Sequence, residues 1–210
     1  MIALAWLFVL VAASPVFDQA SSRMCPPAHE RTDAPGPTCS TGSQKLGPLP
    51  RGPLFWHLDT YPTVAAAQAA RSPRGAVIES LGKIWLFTIA EAGWRASAGE
   101  RVAEIGPLPI NPETDYTAVY MESIFEPGMT AAIHTHSGPE AFYTLTGGTC
   151  LETPAGVLTG RSIVVPAGPP MALIATGTER RRGVVLILHD STQAPTTPEH
   201  DWKPKGLCLS

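Results

Sequence analysis

Positive charge is scarce in this sequence. Lys and Arg number 15 against 18 Asp and Glu, charged residues are only 16% of the chain, and the formal net charge is −3. Nothing here supplies the cationic footprint a phosphate backbone needs, so nucleic acid is excluded as a partner. A Gly-x-Ser-x-Gly elbow, a phosphate loop and a dinucleotide fingerprint are also missing. None of the four cysteines has Cys-x-x-Cys spacing, which argues against a zinc ribbon or redox motif. No internal repeat is visible. The apolar run Ile2 to Ala13 falls short of the roughly 20 apolar residues a membrane span needs.

That run also lacks a basic flank, the amino terminus being its only positive charge. Its uncharged core and the small residues Val11-Ala12-Ala13 before Ser14 nevertheless read as an export signal over residues 1–13. A buried first helix or a membrane anchor is the alternative. The expectation is a secreted or periplasmic protein with no membrane span after signal removal. Cys25, Cys39, Cys150 and Cys208 agree with an oxidising compartment. They allow three pairings. The favoured one joins Cys25 to Cys39, close in sequence, and Cys150 to Cys208, which would staple the tail to the body; free buried thiols are the alternative.

What the chain has in quantity is turn formers, 22 prolines and 19 glycines, and these favour many short strands over long helices. Hydrophobic residues at 44% permit a sizeable core. Residues 14–53, with Pro26-Pro27, Pro35-Gly36-Pro37, Pro48 and Pro50, read as a disordered linker, because they offer little apolar surface to offset ordering entropy. The folded body is expected over residues 54–190 and a wrapping tail over 191–210. Thr60 to Ala70 carries a polar residue, a proline and an alanine run, the signature of one short helix. Gly75 to Leu81 and Ile84 to Ile89 flank Gly82-Lys83 and read as a hairpin. Between Arg101 and Asp190 short strand-like runs alternate with turns, which suggests a sandwich or barrel.

One stretch carries chemistry. In a strand, His134 and His136 of Ala132-Ile133-His134-Thr135-His136 share a face about 6.6 Å apart. Ser137-Gly138-Pro139 reverses the chain, and Glu140 opens the returning strand beside the two imidazoles. Two nitrogens and a carboxylate on one face can hold a divalent metal with open positions. A hydrogen-bonded His-Glu cluster is the bland alternative. By period two Phe142 and Thr144 share the face of Glu140, and Tyr143 points away. Glu122, in a preceding apolar strand, is a candidate for the same cavity wall; a solvated face is its alternative. His189-Asp190 reads as rim. Arg180-Arg181-Arg182 reads as a solvated turn, and Trp56, Trp85 and Trp94 read as core.

The run from Gly128 to Gly147 resembles the first motif of the cupin superfamily: a glycine, five residues, His-x-His, three or four residues, Glu, six residues and a glycine. Gly128, His134, His136, Glu140 and Gly147 fill every position. The second motif is partial: Gly160, Pro166, Ala167 and Gly168 are present, but Met171 stands at its histidine and Ala175 at its asparagine. The resemblance covers residues 116–188 and implies an all-β double-stranded β-helix, a jelly-roll barrel, with the earlier strands as additional barrel wall. It implies a metal held by His134, His136 and Glu140 (Fe, Mn, Zn or Cu) and a small-molecule pocket lined by Ala131, Met171, Phe142, Thr144 and Glu122. A homodimer follows by analogy. The functions it implies are a metal-dependent small-molecule enzyme of oxygenase or isomerase type, a non-enzymatic ligand-binding or sensing module, or a structural envelope protein with a vestigial site.

Overall fold

The structure, a computed structural model, describes residues 23–209 and the backbone pairing of Val16–Phe17; the expected export signal at residues 1–13 lies outside the described residues. In chain order the strands are β1 (Val16–Phe17), β2 (Gly36–Pro48), β3 (Leu54–Tyr61), β4 (Gly75–Ser80) and β5 (Lys83–Glu91). Then come β6 (Glu100–Leu108), β7 (Asp115–Phe125), β8 (Thr130–Ala131), β9 (His134–Thr135), β10 (Glu140–Thr146) and β11 (Gly148–Thr153). β12 (Gly156–Thr159), β13 (Ser162–Val165), β14 (Ala172–Thr176), β15 (Arg181–Asp190) and β16 (Thr197–Pro198) complete the set. A single short α-helix, α1 (Val64–Ala69), is capped by Thr63, whose hydroxyl accepts from the Ala66 amide at 3.1 Å.

Three layers result. The front sheet runs β13-β10-β15-β7-β2 and the back sheet β1-β8-β14-β11-β12. Together they form the all-β jelly roll, with Val119, Met121, Phe142, Leu151, Val185 and Ile187 among the apolar side chains packed between them. The outer sheet, β4-β5-β3-β6, covers the other face of the front sheet. There Trp56, Trp85 and Phe87 meet Tyr120, Tyr143 and Leu186 in a second core, with Phe87 stacked on Tyr120 at 5.4 Å between ring centroids. Period-two alternation lets one sheet serve two cores: Ala141 and Tyr143 of β10 face outward, Phe142 inward.

Two expectations need correction here. The strands of residues 54–108 are not barrel wall; β3 to β6 pair only among themselves and make the outer sheet. The extra barrel strand comes instead from the expected linker, because β2 pairs antiparallel with β7 from Gly36↔Ile124 to Pro48↔Asp115, through three register shifts. A polar, proline-rich segment can do this because an edge strand gains its ladder hydrogen bonds from one neighbour and tolerates bulges and exposed side chains. Residues 23–35 are also tied down. Cys25 is bonded to Cys39, and Arg31 donates to the Pro26 carbonyl (2.7 Å), the Glu79 carbonyl (2.6 Å) and the Glu122 carboxylate (3.2 Å).

The β4–β5 hairpin turns one residue earlier than expected, at Leu81-Gly82, with φ of 52° and 73°. Ser80 therefore pairs with Lys83. The second disulfide, Cys150 to Cys208, fastens the tail to β11. Beside it the Lys205 and Leu207 amides donate to the buried Glu152 carboxylate. No helix among the described residues is long and apolar enough to cross a membrane.

Candidate metal centre

His134 and His136 leave the barrel wall at one end, on either side of Thr135, and the Ser137–Pro139 turn delivers Glu140 at the start of β10. The turn needs Gly138: a Cβ there would lie 2.0 Å from the Leu188 carbonyl oxygen, with Tyr116 at 2.9 Å. All three side chains are buried, at 2%, 4% and 1% exposure, and one ligand atom from each lies within 4.8 Å of the others. The two rings meet edge to face, with centroids 4.7 Å apart.

Hydrogen bonds fix which nitrogens point inward. His134 Nδ1 donates to the Ala132 carbonyl at 2.7 Å and His136 Nδ1 to the Pro195 carbonyl at 2.7 Å. With Nδ1 committed as the donor, Nε2 of each ring is the nitrogen that would face an ion, the arrangement that orients ligating histidines in metal sites. His136 Nε2 lies 3.0 Å from Glu140 Oε2. The donor set therefore fits a divalent transition ion. Burial acts to lower the His136 pKa, but the charge and hydrogen bond of Glu140, helped by the Pro195 carbonyl, outweigh it and hold the group above its ordinary value.

The surroundings are apolar. Glu140 pairs with Val165 on one side and Ile187 on the other, and Met171, Ala131 and Phe142, all nearly fully buried, lie in the same interior cluster. The Met171 amide donates to the His134 carbonyl at 3.1 Å, so the residue at the partial second motif borders the centre. Carboxylate and imidazoles in such a setting are costly unless a shared partner or their own ion pair offsets the lost hydration.

The tail closes this end. β16 pairs with β9 through Thr197↔Thr135 and Pro198↔His134, and the Glu199 amide donates to the Ile133 carbonyl at 3.0 Å. The strap thus contributes both a short ladder and the carbonyl that orients His136. His189 lies on the inward period of β15, 7% exposed, and its Nδ1 is 2.9 Å from the Gln193 carbonyl, so it braces the strap from within.

The remaining pocket candidates divide. Thr144 faces the interior, where its hydroxyl meets that of Thr149 at 2.7 Å, but it sits at the opposite end of β10 from Glu140. Glu122 is a correction. In β7 the inward positions are Val119, Met121 and Ser123, so Glu122 faces out of the barrel. There its carboxylate accepts from the Ser80 hydroxyl at 2.6 Å, the Leu81 amide at 3.3 Å and Arg31 at 3.2 Å. Its strand is apolar on both faces, which leaves sequence periodicity no way to choose.

The arginine triplet is a second correction. Arg181 and Arg182 open β15 instead of lying in a turn, so their side chains point to opposite faces, and Arg180 just precedes the strand. Arg180 is exposed and paired with Glu126, Arg182 reaches Asp33 at 2.8 Å, and Arg181 is fully buried inside the barrel. Its Nε donates to Thr149 Oγ1 at 2.6 Å and its Nη1 to Ser123 Oγ at 2.5 Å, with Phe125 under the guanidinium at 5.9 Å. Burial pushes this guanidinium down to about 10, against an upward pull from the charge of Glu140. The unbroken apolar run after it, Val184 to Leu188, is the signal that could have extended the strand back through Arg181. Trp94, expected in the core, is half-buried and tilted against His57 at 5.5 Å.

Neither protein-family models nor curated proteins give a match to this chain. Solved structures do. A cupin domain from Bordetella pertussis Tohama I is 25% identical over 39% of this chain and 88% of its own, with a TM-score of 0.30. A protein with a double-stranded β-helix domain from Klebsiella pneumoniae is 15% identical over 39% of this chain and 69% of its own, at a TM-score of 0.34. The polyketide cyclase RemF from Streptomyces resistomycificus is 20% identical over 41% of this chain and 63% of its own, at 0.33.

Proposed function

We propose that this chain, a cupin by its jelly-roll topology and its complete first motif from Gly128 to Gly147, is an exported metal-centre protein whose ligand is a small molecule. His134 Nε2, His136 Nε2 and Glu140 would hold one divalent transition ion, among Fe, Mn, Zn and Cu. The observation that carries this reading is the pair of Nδ1–H bonds to the Ala132 and Pro195 carbonyls, which turn both basic nitrogens toward one carboxylate in an apolar interior. With three protein ligands and Met171 at the fourth motif position, an ion held here would keep positions for a substrate oxygen or dioxygen. When bound, the ion would supply Lewis acidity or oxygen activation to chemistry of oxygenase or isomerase type. The residues of the chain orient the ligands and exclude water: the Ala132 and Pro195 carbonyls fix the rings, and Val165, Ile187 and Phe142 dry the surroundings.

Export belongs to the same proposal. It is supported by the apolar run at residues 1–13 and by the two disulfides, bonds typical of an oxidising compartment. Sequencing the amino terminus of protein recovered from the exported fraction should find it beginning after Ala13.

Elemental analysis of native protein is the main test. It should return close to one transition ion per chain, and His134→Ala should remove it. Apo protein should gain melting temperature on addition of Mn, Fe, Zn or Cu. Absence of metal from native protein together with no thermal response to any of the four would overturn the proposal. A binding or sensing module is the second reading, favoured by the tail strap over the centre. It is distinguished by ligand affinity that survives removal of the ion.

A further inference from the structure

The barrel interior holds a cation that nothing among the described residues neutralises by contact. Arg181 is 0% exposed and has five N–H donors to satisfy. Its direct partners are two neutral hydroxyls, on Thr149 and Ser123, and its Nη2 has no partner among the described residues. No carboxylate among them forms an ion pair with it, although Arg180 and Arg182, on either side, each have one; Glu140 acts on it only through space. A buried guanidinium left in this state is costly, and chains do not ordinarily retain one without something to set against it.

A cavity of about 340 Å³ opens at the end of the barrel away from the histidines, and the Thr149 side chain stands between it and Arg181, which does not itself line it. Thr149, whose hydroxyl accepts from Arg181 Nε, forms part of its wall, together with Thr144, Thr159, Thr176 and Arg161. The rest is backbone of Gly147, Gly148 and Gly160. At Gly147 (φ +69°) an added Cβ would lie 2.7 Å from the Arg181 Cα, so the turn can pass over the arginine only without a side chain. The wall is thus hydroxyls, bare backbone and a second guanidinium, with the buried one behind it.

We infer that this end of the barrel is an oxyanion site, in which a small carboxylate or phosphate takes the place of the Thr144–Thr149 hydroxyl contact and is received by Arg181, with Arg161 at the rim. The planar fork of arginine suits both oxyanions. The inference stands apart from the metal centre and does not depend on it.

The test uses full-length protein stripped of metal with EDTA and held at constant ionic strength with NaCl. Acetate, succinate and inorganic phosphate are titrated separately, with melting temperature and isothermal titration as readouts. The wild type should respond saturably. Arg181→Lys, which keeps the charge but loses the fork, should bind about tenfold more weakly, and Arg181→Met should not respond. Saturation by acetate and succinate alone assigns the site to organic acids, and saturation by phosphate as well assigns it to oxyanions in general. A wild type that shows no saturable response, or an Arg181→Met variant that responds equally, overturns the inference. Should Arg181→Met fail to fold, Thr149→Val decides in its place: a loss of about tenfold supports the site, and unchanged affinity overturns it.

Discussion

The two faces of the front sheet treat charge differently. Outside the barrel each of two buried carboxylates has an arginine: Glu122, on the outward face of the front sheet, is met by Arg31 at 3.2 Å, and Asp59, on the far face of the outer sheet, by Arg101 at 2.8 Å. Arg101 also reaches His57 Nδ1 at 2.9 Å and the Trp94 carbonyl at 2.7 Å. These pairs are closed systems: Arg31 ties the segment before β2 to the front sheet, and Arg101 joins β6 to β3 within the outer sheet. On the inward face Glu140 and the histidines lie at one end and Arg181 at the other; the two charges act on each other through space, but no ion pair joins them. Paired charge outside the barrel is explained by structure alone, whereas separated charge in an apolar interior points to ligands.

The comparison can be broken at several places. If the outer sheet is integral to the fold, Trp85→Ala should cost about 3–5 kcal/mol in urea unfolding, since Trp85 is fully buried. A loss under about 1 kcal/mol would mean the barrel does not need that layer. Removing the tail staple with Cys150→Ser and Cys208→Ser, which are 58 residues apart, should cost up to about 4 kcal/mol by chain entropy. Because the tail also orients His136, the same variant should surrender its metal to EDTA faster than wild type.

Smaller effects sharpen the contrast further. Saturating metal at 100 times its Kd should stabilise the wild type by about 2.7 kcal/mol, and Glu140→Gln should lose most of that gain while folding normally without metal. Glu122→Gln leaves the geometry but removes the charge facing Arg31, and should destabilise by about 1–3 kcal/mol with no effect on metal binding. The smallest effect is a pH dependence at His57. Burial, reinforced by the positive charge of Arg101, lowers its folded pKa below the ordinary imidazole value of about 6.5, although the Glu91 carbonyl and Glu104 partly oppose them. The unfolded chain then binds the proton more tightly, so this contribution is present above about pH 6.5 and is lost as pH falls toward the folded pKa. Denaturation at pH 7.5 and 5.5 should show a smaller drop in His57→Gln than in wild type.

The parts of this pattern legible in sequence are those where local periodicity meets a turn. His134-x-His136 followed by Ser137-Gly138-Pro139 and Glu140 specifies both a shared face and a reversal, and no distant contact is needed to read it. Parity was not legible where a strand is apolar on both faces, as at Glu122. The strand character of Gly36–Pro48 was not legible either, since its pairing depends on β7 some 80 residues later in the chain. The start of β15 was hidden by composition, three arginines after a Gly-Thr-Glu run looking more like a turn than the inside of a barrel. Long-range pairing decides each of these, and single-sequence patterns do not contain it.

The carbonyl that orients His136 belongs to Pro195, beyond the last barrel strand. A nascent chain that has reached Asp190 therefore owns both imidazoles and the carboxylate but not the group that holds one ring in its binding tautomer. Completion of the centre is deferred until the final residues emerge, fold back over β9 and are fastened through Cys208. Any ion the proposed centre takes up would meet both oriented rings only once the tail has docked.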